Sequence, residues 1–234
     1  MTVAEIQREL ARLADHRTAL SSQRFFKTGH GEYGEGDLFR GIRVPVLRRL
    51  ARQYRSITLP DTVELLRSPF HEDRLLALFL FVSLYGRGDQ VTRAKIYAVY
   101  LKNTDFINNW DLVDASAEHI VGDFLWEKDR QPLYHLAQSS DLWERRIAIM
   151  ATFHFIKRGE FSETLRLARM LLTDQEDLIH KAVGWMLREV GKRDPLTAKA
   201  FLRDNYRGMP RVMLRYAIER YSEADRQRYL KGEV

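Results

Sequence analysis

A spacing of 36 residues recurs along the chain: Asp105, Asp141 and Asp177 stand that far apart, each where an N-cap would open a helix. The same slide brings EDRLLALFLF, NNWDLVDASA and ERRIAIMATF into line, with Arg74, Trp110 and Arg146 at equivalent places. RVMLRYAIERY follows DLIHKAVGWMLRE after a shift about two residues shorter. A period in the mid-thirties made of two helices predicts an all-α chain, an α-solenoid of two-helix repeats. One helix pair cannot bury its apolar face alone, so neighbours must stack into a continuous, curved core. We expect a single domain over 1–234, without a linker, its concave face basic.

Apolar residues at three- and four-residue spacing support this. The segments 71–86, 91–103, 110–125, 141–159, 162–173, 177–192 and 211–222 read as helices, and strand signals are nearly absent. Short breaks fall at SPF (68–70), GRGD (86–89), KRGE (157–160), RDP (193–195) and RGMP (207–210). Charges interrupt every apolar run before the ~18 residues a membrane span needs. The N-terminal stretch MTVAEIQRELARLADHR reads as one amphipathic helix carrying acids, unlike a signal peptide. These features lead us to expect a soluble, cytoplasmic protein with no membrane partner.

The chain has no cysteine, so disulfides, cysteine nucleophiles, Fe–S clusters and thiolate zinc sites are excluded. Its net charge is +6, unevenly spread. Residues 1–60 carry 11 basic and 6 acidic side chains, residues 61–140 carry 8 and 12, and residues 141–220 carry 16 and 11. If the two basic stretches flank a common face, that face suits a polyanion; the alternative is two solvated basic segments.

Three familiar chemistries find no support. GHGEYG (29–34) matches G-x-G-x-x-G in letters, but no strand precedes it, no GK[ST] follows, and Glu32, Glu35 and Asp37 would repel a phosphate. It reads as a flexible loop between helices, with Tyr33 at its tip. The seven histidines show no H-E-x-x-H spacing, and no serine sits in a G-x-S-x-G elbow. No metal or other cofactor is expected.

Three anomalies remain once the apolar stripes are drawn. Val113, Ala117, Ile120, Val121 and Phe124 form one stripe, and Trp110 and Asp114, four residues apart, sit at its margin. A carboxylate there is costly without a partner or a task. Arg146 interrupts the stripe Leu142, Ile149, Phe153 and Ile156. Beside the core stripe Ile179, Val183, Met186 and Val190 runs a second one of Lys181, Trp185, Arg188 and Lys192. In a functional arrangement, cations would hold phosphates, tryptophans would offer ring faces to sugar, base or cation, and Asp114 would stabilise developing positive charge. In a structural one, Asp114 and Arg146 would pair between repeats while both tryptophans fill gaps.

NNWDLVDASAEHIVGDFL, DLWERRIAIM and HKAVGWMLREVGK resemble the AlkD-type family of alkylpurine DNA glycosylases, superhelices of HEAT-like repeats. The similarity runs from about residue 20 to 220 and includes RFFKTGHGEYGEGDLFRGIRVPVLRRL. It implies that Trp110 and Trp185 border the damaged nucleotide, that Asp114 stabilises the sugar cation and helps place the attacking water, and that Arg146 grips the DNA backbone. The charged stripe adds Arg188 and Lys181 as expected DNA-contacting positions, with Phe25 and Lys27 near the start. The partner would be duplex DNA bearing N3- or N7-alkylated purines, bound by a nucleoid-associated monomer without metal. Phe25 stands where the best-known members carry a tyrosine, and the stretch 29–36 is longer than theirs. Two other outcomes stay open: a catalytically silent member that binds branched or distorted DNA, and a protein-interaction scaffold.

Overall fold

The structure is a computed structural model that describes residues 2–234. It is all-helical, as the spacing predicts; among the described residues the only extended pairing is an isolated bridge between Leu38 and Phe70. The chain packs as two compact units, Met1–Ser116 and Ala117–Val234. In each, helices stack on their sequence neighbours in the manner of a solenoid.

The first unit opens with α1 (Val3–Arg12), where Thr2 and Glu5 form a reciprocal capping box. The single N-terminal helix expected from the pattern is in fact two. Asp15 accepts from the Thr18 N–H at 2.7 Å and starts α2 (His16–Phe25), a strong local cap that outweighs the continuing apolar period. Then come α3 (Val44–Gln53), α4 (Leu59–Leu66), α5 (His71–Arg87) and α6 (Gln90–Leu101). A 3₁₀ turn over Thr104–Phe106 leads to α7 (Trp110–Asp114). Every residue from His71 to Phe81 is buried, because α3, α4, α6 and α7 all pack on α5; a helix that is apolar nearly all round requires such company.

The second unit begins with a π-helical segment, Glu118–Gly122, that passes into α8 (Asp123–Leu125). It continues through α9 (Gln131–Ala137), α10 (Leu142–Ala151), α11 (Phe153–Ile156), α12 (Ser162–Met170) and α13 (Asp177–Gly191). The last helices are α14 (Pro195–Asn205), α15 (Arg211–Ala217) and α16 (Glu223–Lys231). α10 packs on α13, and α13 on α15. Gly184 makes the second contact possible: a Cβ there would stand 2.5 Å from the Met213 carbonyl oxygen and 2.5 Å from Tyr216 Cβ.

The repeating aspartates cap unequally. Asp141 caps α10, accepting from the Trp143 and Glu144 N–H groups at 2.6 and 3.4 Å. Asp177 is instead the first residue of α13, and Asp105 lies in the 3₁₀ turn while Asn109 caps α7. The helix expected over 110–125 is interrupted at Ala115–Ser116, and the one over 141–159 at Thr152. In both places a buried hydroxyl turns back on the helix. Ser116 Oγ donates to the Leu112 carbonyl at 2.7 Å, and Thr152 Oγ1 to the Ile149 carbonyl at 2.7 Å, the competition that bends helices at Ser and Thr.

Candidate functional site

Four consecutive polar residues, His71, Glu72, Asp73 and Arg74, open α5, and all four are buried. Burial of so many ionic groups is tolerable only with full pairing. Glu72 accepts the backbone N–H groups of Arg40, Gly41 and Ile42 at 2.8, 2.7 and 3.1 Å. Asp73 takes both prongs of the Arg40 guanidinium, at 2.6 and 2.9 Å, and the Ser68 hydroxyl. Arg74 donates to Asp37 at 2.7 Å and to the Ser68 carbonyl at 3.1 Å. His71 lies between two carboxylates, with Nε2 2.9 Å from Asp111 and Nδ1 3.4 Å from Asp37.

Burial alone would lower the His71 pKa. The charge and hydrogen bond of Asp111, with the hydrogen bond of Asp37, overcome both burial and the opposing Arg74, pushing it up to about 9. Asp37 shows the mirror image: burial works to raise its pKa, but His71 and Arg74 hold it below the usual carboxylate range. The ring at position 71 is therefore an imidazolium at neutral pH, neutralised from both sides.

Aromatic rings pack beside this charged cluster and end at Trp110. Phe39 stacks on His71 with centroids 4.7 Å apart, Phe26 on Phe39 at 5.2 Å, and Trp110 on Phe26 at 5.4 Å. Phe25 meets Trp110 edge-on at 5.9 Å while remaining 65 % exposed. Trp110 is half-buried, so its indole is held by a wall of rings yet reaches solvent. One turn further along α7, Asp114 is also half-buried. Next to burial, its negative charge raises the pKa of the Tyr100 phenol, which meets Ser116 Oγ at 2.9 Å.

The Gly-rich stretch leads into the same cluster. Gly29 and Gly31 give their N–H groups to Glu32 and Glu35, at 2.9 and 2.7 Å, and Glu35 also holds His30. The loop's own carboxylates thus occupy the donors a phosphate would need. Lys27, exposed beside the loop, is the sole non-glycine residue with positive φ (52°) among the described residues.

In the second unit, α13 carries Lys181, Trp185 and Arg188 beside its buried stripe, as the period predicts, and Lys192 is its C-cap residue. Trp185 is half-buried, faces the Phe153 ring at 6.1 Å and donates Nε1–H to Glu189 at 3.3 Å. Burial would raise the Glu189 pKa, but Lys192 and Arg193, at 2.6 and 3.0 Å, keep it low. Arg188 pairs with Glu219, and Lys181 approaches Asp177 at 3.5 Å. A cavity of about 250 Å³ is lined by Arg188, Lys192, Lys199, Arg220, Tyr221 and Asp225. Arg146 is 4 % exposed, its Nη1 donating to the Leu178 carbonyl at 2.6 Å, so it clamps α10 to α13.

Of the expected positions, Phe25, Trp110 and Asp114 come together in the first unit, while Lys181, Trp185 and Arg188 share one helix of the second. Sequence reasoning missed His71, Asp37 and Asp111. The available signal was HEDR, a charged quartet heading a helix otherwise too apolar to expose.

A family model described as DNA alkylation repair enzyme matches residues 6–221. Among solved structures, a protein from Enterococcus faecalis described as a predicted DNA alkylation repair enzyme is similar at a TM-score of 0.68 and 16 % identity, covering 90 % of this chain and 97 % of that one. AlkD2 from Streptococcus mutans is similar at a TM-score of 0.54 and 19 % identity, covering 94 % and 97 %. The protein smu.31 from Streptococcus mutans UA159 is similar at 0.52 and 18 %, covering 94 % and 96 %. At these identities the likeness speaks to the fold. No curated protein matches the chain in sequence.

Proposed function

The chain belongs to the family of DNA alkylation repair enzymes, and from that membership we propose that it is a monofunctional DNA glycosylase releasing N3- and N7-alkylated purines from duplex DNA. The observation that carries this is α7: Trp110, held by Phe26 and Phe25 yet open to solvent, with Asp114 one turn away.

An alkylated purine is already a cation, so its departure needs no proton. The bond from C1′ to the base breaks, and its electron pair neutralises the leaving purine. The cost lies in positive charge growing on the sugar. A carboxylate in place before the reaction stabilises that charge without reorganising, the role given to Asp114. The Trp110 face suits both the cationic base and the sugar. Water adds to C1′ and gives up its proton to the surrounding solvent as the abasic site forms. In the second unit, Trp185 offers an indole face, while Lys181, Arg188 and the cations around the neighbouring cavity suit backbone phosphates.

The test is release of free 7-methylguanine or 3-methyladenine from methylated duplex by the wild-type chain and by Asp114→Asn. Loss of one preorganised electrostatic contact predicts a fall of about 10²–10³-fold. Wild-type protein that binds such DNA and liberates no base would overturn the proposal. One observation favours a silent DNA-binding protein instead: Arg146 is committed to the Leu178 carbonyl rather than displayed. Tight binding of branched DNA, with no preference for alkylated duplex, would support that second reading.

A further inference from the structure

α7 has five residues, too few to hold its own direction, since isolated helices of fewer than about 12 residues are marginal in water. What fixes Trp110 and Asp114 must therefore come from outside the helix. Leu112 and Val113 supply buried apolar contact, which resists withdrawal but sets direction weakly. The directional tie is Asp111. Its Oδ2 accepts from His71 Nε2, and its Oδ1 is buried without a hydrogen-bond partner. The same imidazole reaches Asp37 at the end of the Gly-rich loop, and its face meets Phe26 and Phe39, at 4.7 Å each. Phe26 is the ring on which Trp110 stacks.

We propose that His71 is a positioning residue for the Trp110–Asp114 site, holding α7 through Asp111 and the aromatic wall through its ring face. The inference rests on the glycosylase reading of those two residues. It adds an electrostatic role. Asp111 and Asp114 are three apart on one helix, where like charges oppose each other. The His71 cation neutralises Asp111, leaving Asp114 to act as an anion toward the sugar. Among the described residues, the charged groups that act on the ring are Asp37 from the loop, Asp111 from α7 and Arg74 from α5.

The experiment compares the full chain with His71→Gln, Asp111→Asn and the double variant. Readouts are single-turnover base release from methylated duplex, DNA affinity and thermal midpoint. Misplacement of reacting groups by about 1 Å costs on the order of 10²-fold, so each single variant should slow release by about 10- to 100-fold. DNA affinity should stay within about twofold, the pattern of a lost transition-state interaction. The double variant should be no slower than the poorer single one, because both remove the same tie. Wild-type release should fall as pH passes about 9, and in Asp111→Asn that fall should begin at lower pH. Release at the wild-type rate in either single variant, multiplicative losses, or a pH profile unmoved by Asp111→Asn would overturn the proposal. If His71→Gln does not fold, Asp111→Asn, which conserves buried volume, carries the comparison. If the wild-type chain releases no base, the glycosylase reading fails and the tie is judged by near-ultraviolet circular dichroism. The Trp110 band, assigned by difference from Trp110→Phe, should weaken in Asp111→Asn, and an unchanged band refutes the tie.

Discussion

Raising the pH should unfasten the first unit through a single group. In the unfolded chain, His71 titrates near 6.5; in the folded protein, near 9. Folding therefore takes up a proton between these values, and the stability it brings is fully present below 6.5 and lost as pH rises through 9. Each pH unit across that window removes about 1.4 kcal/mol, so the whole window is worth about 3 kcal/mol. The side chain is 2 % exposed, so solvent screens little of this. The other strongly shifted histidine does not interfere: burial lowers His154 to about 4, so its linkage operates in acid, below 6.5. Urea titrations at intervals from pH 6 to 9.5 measure the effect. With an m-value of about 3 kcal/mol/M, the midpoint should drop by about 1 M. Asp111→Asn removes the main anion opposing burial, so its midpoint should start lower and decline less across the same range. A wild-type midpoint that stays level from 6.5 to 9, or a variant that loses as much as wild type, would rule out a proton taken up by His71 on folding.

Other perturbations probe separate links. Gly184→Ala would drive a methyl group into the Met213 carbonyl and Tyr216 where α13 meets α15. Overpacking of about 1–3 kcal/mol should lower the thermal midpoint by about 3–10 °C, and an unchanged midpoint would mean the helices separate freely. Lys27→Ala should reduce the slope of log affinity for duplex DNA against log salt by about 0.9, the value for one phosphate contact. An unaltered slope would remove Lys27 from the interface.

The helical stripes were legible because they depend on spacing within one segment. Ile179, Val183, Met186 and Val190 are all fully buried, and Lys181, Trp185 and Arg188 fall on the neighbouring face, as the period requires. Trp110 and Asp114 could be singled out for the same reason, lying four apart on one helix. The groups that support them could not. His71 meets Asp37 and Asp111, 34 and 40 residues away, and no periodicity links such positions. The helix α14 was hidden at its head: the Asp–Pro pair that reads as a break is the cap and first turn of the next helix. The ends of α7 and α10 depend on single hydroxyls, Ser116 and Thr152, whose choice of the backbone over solvent is set by burial.

The π-helical segment Glu118–Gly122 has a consequence for lineage. Its turn closes five residues back instead of four, so it stores one residue more than an α-helical turn would. Such a turn has the form of a one-residue insertion that the helix absorbed without breaking. Gly122 fits where the wider turn meets the Ala151 carbonyl, at a place where a Cβ would stand 2.2 Å from that oxygen. Aligned with relatives whose helix runs straight here, the chain should need a gap of one position between Glu118 and Gly122. Removing one residue from that stretch should restore an α-helical turn and rotate Asp123–Leu125 by about 100°.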